Sequence, residues 1–176
     1  KVMADDIQTI YDQIDKNNAI VMAFLKSGGI KAGDISVAVP NISDKYAAEY
    51  GSNDRAYRYI ATSTVTVCTA DVDAVLALRS RQSELLKKGV VTAGSNWENT
   101  VEFKYEGLNE IKPQMIEEAT RNAREAAEKF AKDSDSKLGK IKTANQGTFT
   151  IDDRDSNTPH IKTVRVVTSV TYYLKN

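Results

Sequence analysis

Two kinds of apolar spacing alternate along this chain, and their order restricts the folds that are open to it. Helical spacing of apolar residues predicts three helices, which cover 7–27, 72–89 and 108–134. Alternation with a period of two predicts strands at 34–39, 56–69, 101–106, 138–151 and 164–174. The element order α-β-β-α-β-α-β-β therefore indicates an α+β protein.

The first helical pattern begins almost at Lys1, so we expect a leading segment with one further strand to precede it. That strand would complete a split β-α-β-β-α-β unit of the ferredoxin-like kind, which here lacks its first strand. A further α-β-β then extends or flanks the sheet. We expect an antiparallel sheet with helices on one face, in a single domain over 1–176.

The predicted core comes from one face of each element. In the third helix this face is narrow and rich in alanine, with Ile116, Ala119, Ala123, Ala127 and Phe130. The strand at 56–69 buries Tyr57, Tyr59, Ala61, Val65 and Val67. The last strand buries Val164, Val166, Val170, Tyr172 and Leu174. Asn18 is a polar residue on the apolar face of the first helix.

Charge and cysteine content narrow the classes of function. The 24 basic and 24 acidic residues cancel, which argues against a dedicated nucleic-acid binder. Cys68 is the only cysteine, so no disulfide can form within the chain. No segment reaches the roughly 20 apolar residues of a membrane-spanning helix, so a membrane contact would require an N-terminal anchor outside this chain.

The residues offer little for catalysis. His160 is the only histidine, and its position beside Pro159 indicates an exposed residue at the end of a strand instead of a catalytic base. The residues from Asp153 onward do not match a calcium-binding loop, because the position that requires glycine holds Thr158 and the position that requires glutamate holds Val164. Phosphate-binding glycine motifs are also missing. We therefore predict no enzyme, no cofactor and no metal.

Cys68 and a group of aromatic residues remain as candidate functional residues. Cys68 precedes the second helix, where a helix N-terminus can favour a reactive thiolate, although a structural thiol is the alternative. Tyrosine and tryptophan outside the core are common at protein interfaces. Tyr46, Tyr50 and Tyr57 cluster around the predicted loop at 43–54, Trp97 lies in another predicted loop, and these four residues are a candidate interaction surface.

Four segments of the chain resemble those of SIMPL-domain proteins. They are FLKSGGIKAGDI at 24–35, YIATSTVTVCTADVDAVL at 59–76, ATRNAREAAEKFA at 119–131 with LGKI at 138–141, and VRVVTSVTYYL at 164–174. Asn122 departs from the commoner aspartate. The resemblance implies a bacterial protein that is exported to the periplasm or anchored there. It also implies relatives that form ring-like or channel-like homo-oligomers, act in oxidative-stress defence or, in eukaryotes, bind a signalling kinase.

The leading hypothesis is a non-catalytic cell-envelope protein that works by homo-oligomerisation or by binding a protein partner, in envelope or oxidative-stress protection. The alternative is a small-ligand binder or a redox-active protein that uses Cys68. A third hypothesis is nucleic-acid binding through a ferredoxin-like sheet. Its only support is Arg58 between Tyr57 and Tyr59, so we predict no nucleic-acid partner.

Overall fold

The structure is a computed structural model that describes residues 1–47, 56–92 and 100–175. It confirms an α+β protein with antiparallel sheets. The chain forms two compact units, Lys1–Asn99 and Thr100–Asn176, and each is described below by itself. A single domain over 1–176 stays a prediction. Neither of the two longest helices has an apolar stretch that could cross a membrane, and this holds for every helix in the described ranges.

The described residues of the first unit form five short strands, three α-helices and a short 3-10 helix at Ala32–Asp34. The strands and α-helices are β1 (Val2–Ala4), α1 (Ile7–Ser27), β2 (Ile35–Val37), β3 (Asn41–Asp44), β4 (Tyr59–Thr62), β5 (Val65–Val67), α2 (Val72–Ser80) and α3 (Ser83–Lys87). The strands form two sheets, β1-β4-β3 and β2-β5. We expected the first strand to lie before Lys1, but β1 is present and pairs with β4, so that expectation is corrected.

Local sequence sets both ends of α1. Asp6 caps the N-terminus, because its carboxylate accepts a hydrogen bond from the Thr9 amide at 2.8 Å. The helix ends at Ser27 with Gly28 as its C-cap, and Gly29 follows with a φ of 90°, a backbone conformation that favours glycine. Along its length α1 contributes to two core clusters. Its first half packs Ile10 and Ile14 with the sheet β1-β4-β3, and Phe24 in its second half packs against α2 and α3.

The predicted strand at 56–69 divides in two, because its halves pair with different partners. β4 pairs with β1 and β3, whereas β5 pairs with β2. At the break, the Ser63 hydroxyl donates to the side-chain oxygen of Asn18 at 3.1 Å, which explains a polar residue on that face of α1. The predicted helix at 72–89 is likewise two helices with a turn at Arg81 and Gln82.

The second unit is one long helix against a two-stranded ribbon. Its elements are α4 (Leu108–Asp133), β6 (Lys137–Gln146), β7 (Thr150–Asp153), β8 (Lys162–Arg165) and β9 (Thr168–Lys175). β6 pairs with β9 and β7 pairs with β8, so the two pairs follow each other along the ribbon. Two irregularities interrupt the β6–β9 register, and the extra residue lies on β6 each time.

Several predictions for the core and the strands are wrong. In α4, Phe130 is 76% exposed while its neighbour Ala131 is 2% exposed, so the buried stripe ends on the alanine. Leu174 and Tyr57 are also exposed instead of buried. Residues 101–106 form no strand, since alternation alone does not supply the partner that a ladder requires.

Candidate interaction surfaces

The first candidate surface lies in the first unit, at the end of the β3–β4 hairpin where the segment 45–58 connects the two strands. Asp44 lies opposite Tyr59 in the register, and the Lys45 amide donates to the Arg58 carbonyl at 2.9 Å, so Tyr46 and Tyr57 come next on the two arms. We call Asp44, Tyr46, Tyr57, Arg58 and Tyr59 the hairpin neck. Tyr46 is 63% exposed and Tyr57 is 43% exposed. Two of the four predicted aromatic residues therefore meet on one exposed surface.

The other two predicted aromatic residues, Tyr50 and Trp97, lie outside the residues that the structure describes. Their place in this surface stays a prediction.

Arg58 organises the hairpin neck. Its guanidinium donates to Asp44 through Nε and Nη2, with Nη2 2.9 Å from Oδ2, and its carbon lies 4.8 Å from the ring centre of Tyr59 and 5.6 Å from that of Tyr46. The hydrogen bond from Arg58 to Asp44 raises the pKa of Arg58. A planar cation between two tyrosine rings therefore presents a rigid surface with one charge and several aromatic edges. Such surfaces are typical of protein contacts.

The second candidate surface lies in the second unit, along the two edges of the β6–β9 ribbon. Each of these strands has the other as its one strand neighbour in the described part of the chain, so each leaves one row of backbone groups unpaired. The edges differ in chemistry. β6 carries Lys137, Lys140 and Lys142, while residues 166–174 are free of charge, glycine and proline. Sequence reasoning did not single out this edge, although the uncharged run was visible.

A groove of about 450 Å³ lies between α4 and the β8–β9 joint in the same unit. Ala119 and Ala123 line its helix side and keep it open, while Thr168 lines the strand side. The hydroxyl of Thr168 is buried and has no hydrogen-bond partner among the described residues. A buried hydroxyl without a partner is costly, so this groove suits a small ligand that supplies a polar atom.

Cys68 lies just past β5 and is exposed. Its amide donates to the Asp34 carbonyl at 2.8 Å, which fixes the backbone beneath the thiol. The helix that follows is capped by Asp71, whose carboxylate accepts from the Ala74 amide at 2.9 Å. The N-terminus of α2 is therefore capped by a side chain of the protein itself.

His160 and the acidic hairpin loop have ordinary structural roles in the second unit. The His160 ring packs edge-on against Phe103 with 5.7 Å between ring centres. Asp155 accepts hydrogen bonds from Arg154, Asn157 and Thr158, and these bonds, with that from the Thr158 hydroxyl foremost, lower the pKa of Asp155 to about 2. Asp153 pairs with Lys162. Within the described ranges, no three acidic, histidine or cysteine side chains are grouped to hold a metal.

Fold and surfaces together define the class of this protein: an α+β chain whose notable features are a tyrosine–arginine hairpin neck and a ribbon with open strand edges. The family model of SIMPL, a protein of unknown function (DUF541), matches residues 1–172. The chain therefore belongs to the SIMPL family, as the sequence resemblance indicated. No curated protein matches the chain.

Proposed function

We propose that this protein is a non-catalytic component of the bacterial cell envelope that works in the periplasm by homo-oligomerisation. Membership of the SIMPL family supports the proposal through the resemblance described above. A role in envelope or oxidative-stress protection follows from the same resemblance. Binding of a different protein partner is the other form of the same hypothesis.

The observation that carries the proposal is the amount of apolar surface that the second unit leaves uncovered. Ala131 is its one fully buried apolar residue among those described, while Phe130, Ile141, Tyr173 and Leu174 are all at least half exposed. A two-stranded ribbon is only marginally stable in water, and a further strand or packing surface is what usually stabilises it. Burial against another chain would cover these side chains, and each large apolar residue contributes roughly 1.5–3 kcal/mol when it is fully buried.

The hairpin neck supports a protein contact independently, within the first unit. Tyr46, which packs against Arg58, and Tyr57, its neighbour in the chain, are both exposed, and tyrosine and arginine are among the residue types that contribute most to binding energy at protein interfaces. The double hydrogen bond to Asp44 holds the guanidinium in place before any partner arrives, which reduces the entropy lost on binding.

Fractionation and native mass would test this proposal. The full-length product of the gene would be expressed in a bacterial host at a low level, and the periplasmic fraction would be examined by native mass spectrometry. We expect the protein in the periplasm as a particle of two or more copies. Recovery as a monomer in the cytoplasm would contradict both parts of the proposal.

A small-ligand binder is the second candidate, and the unpartnered hydroxyl of Thr168 favours it. A ligand in the groove beside Ala119 and Ala123 would donate to or accept from that hydroxyl. Thr168→Val removes the hydroxyl at nearly constant volume. If ligand binding is the function, small molecules that co-purify with the native protein should be absent from this variant. The redox form of the alternative depends on Cys68, and Cys68→Ser tests it by survival under peroxide.

A further inference from the structure

We infer that the open edge of β9 pairs antiparallel with β9 of a second copy, with Thr171 on the two-fold axis. This inference rests on the proposed homo-oligomerisation and names the surface and the register that it uses. The observations that carry it are the chemistry of the two ribbon edges, the direction of the backbone groups on β9, and the side-chain pairs that result.

The β9 edge has the composition of a strand that accepts a partner. Residues 166–174 read VVTSVTYYL, which is nine residues without a charge, a glycine or a proline. Valine, threonine and tyrosine are among the strongest strand formers. Natural proteins usually protect exposed edges with lysine, proline, bulges or short length. None of these devices is present in β9 before its last residue, Lys175.

The β6 edge has the opposite character. It carries Lys137, Lys140 and Lys142 within six residues, and both irregularities in the ribbon register fall on this strand. Lysines and bulges prevent further pairing, because they add charge and interrupt the row of backbone groups. β9 also offers no acidic residue to attract these lysines. A β6–β9 contact between copies is therefore disfavoured, and pairing of β9 with itself remains.

The direction of the backbone groups fixes which residues are available. The Gly147 amide donates to the Val167 carbonyl at 2.8 Å, so Val167 directs its backbone groups towards the β6 side of the ribbon. In an antiparallel ladder this direction alternates from residue to residue. The unpaired amide and carbonyl groups of Thr168, Val170, Tyr172 and Leu174 therefore point to the open edge. The register of β9 with Gln146, Asn145, Ala144 and Thr143 is regular, so the alternation holds through Thr171.

A two-fold axis at Thr171 uses all of these groups. Thr168 then lies opposite Leu174 of the second copy, and Val170 lies opposite Tyr172 of the second copy, with each pair exchanging two backbone hydrogen bonds. Thr171 lies opposite its own counterpart, and Ser169 lies opposite Tyr173 of the second copy. No charged residue faces another in this register. Valine–tyrosine and threonine–threonine pairs are favourable across strands.

Pairing of this kind closes after two copies. A two-fold contact consumes both β9 edges, and the outer strands of the resulting sheet are the two lysine-bearing β6 strands. The product is a four-stranded sheet, β6-β9-β9-β6, with both copies of α4 on one face. Four strands with helices on one face exceed the minimum that gives a sheet independent stability. Larger assemblies would need a second surface, such as the hairpin neck.

Cysteine cross-linking tests the register directly. Thr171 and Thr143 are opposite each other in the ribbon and both are exposed, so they provide a matched pair on the two edges. In a full-length chain with Cys68→Ser, Thr171→Cys would place two thiols across the axis. Residues opposite each other without hydrogen bonds have Cα atoms about 4.5 Å apart, which lies within the span of a disulfide. We expect covalent dimers from Thr171→Cys under mild oxidation and none from Thr143→Cys.

A second pair of variants measures the contact without a cross-link. Thr171→Lys places two positive charges opposite each other and should raise the dissociation constant at least tenfold, whereas Thr143→Lys should leave it unchanged. An assembled chain that shows neither the disulfide nor the lysine effect would overturn the β9 inference and leave the proposed function standing. A chain that is monomeric without any substitution would contradict both. If β9 pairs with a segment of another protein instead, the purified chain should be such a monomer.

Discussion

Arg58 and Asp44 join the two arms of the β3–β4 hairpin through a doubly bonded ion pair, with Nη2 2.9 Å from Oδ2. The same carboxylate accepts a hydrogen bond from the Tyr46 amide at 2.9 Å. One acidic side chain therefore holds both the cation and one aromatic residue of the hairpin neck. Arginine is suited to this position, because its planar fork matches a carboxylate and can lie against a ring at the same time.

Removal of the Arg58 side chain should loosen the hairpin neck. In Arg58→Ala, Asp44 loses the double hydrogen bond from Arg58, so we expect the Tyr46 and Lys45 amides to exchange with solvent severalfold faster. Hydrogen exchange followed by NMR measures this. Arg81→Ala is the matched control, because Arg81 makes a similar fork with Glu84 in the same unit, away from this hairpin. Equal exchange in both variants would show that the ion pair does not hold the neck.

Gly28→Ala should destabilise the first unit. A Cβ at Gly28 would clash with Cγ of Leu78, which is a core residue with little room to move. Overpacking of this kind costs about 1–3 kcal/mol of unfolding free energy. Gly33→Ala is the control, because its Cβ would meet no atom within 4 Å. Denaturant unfolding monitored by circular dichroism should show a lower midpoint for the first variant alone.

Neighbouring substitutions in α4 should differ sharply in their effect on stability. Phe130 is 76% exposed, so Phe130→Ser should change the unfolding free energy by less than about 0.5 kcal/mol in the monomer. Ala131 is 2% exposed, and Ala131→Leu should cost about 1–3 kcal/mol by overpacking. Thermal unfolding at low protein concentration distinguishes the two. A larger loss of stability in Phe130→Ser than in Ala131→Leu would show that Phe130 is buried, which would contradict the structure.

The carboxyl group of Asp155 should titrate at an unusually low pH. Its pKa is lowered from 3.8 to about 2, chiefly by the hydrogen bond from the Thr158 hydroxyl and next by that from Arg154. Because the native pKa is the lower one, the stabilising contribution is complete above about pH 4 and is lost as the pH falls towards 2. NMR titration of the carboxyl carbon should give this midpoint. Thr158→Val should raise it, whereas Thr163→Val, which lies opposite Asp152, should not.

The sequence predicted the long helices well, because many apolar residues repeat the same spacing in each. The sequence could not show which residue is buried at the C-terminal end of α4, because both Phe130 and Ala131 continue the helical spacing from Ala127. The turn between β4 and β5 was equally hidden, because the alternation of residues 56–69 continues through Ser63 while the strand partners change. Asn18 was noticed as an exception, and only the structure supplied its partner, Ser63.

The candidate surfaces were predictable only in part. Tyrosine-rich composition indicated the hairpin neck, but the ion pair that organises it joins residues 14 positions apart and needs the hairpin register. The open edge of β9 depends on which strands pair, and pairing is a long-range property that periodicity does not encode. The absence of charged residues from 166–174 was visible in the sequence and indicates an unprotected strand edge. Its contrast with the lysines of β6 indicates which edge is free to pair.

The mass of the particle in solution shows whether this chain associates with itself. Light scattering behind a sizing column would be measured over a hundredfold range of concentration for the full-length chain and for Thr171→Lys. We expect a particle of two or more copies for the unmodified chain, which dissociates as the concentration falls and dissociates sooner in the variant. A monomer at every concentration would contradict homo-oligomerisation.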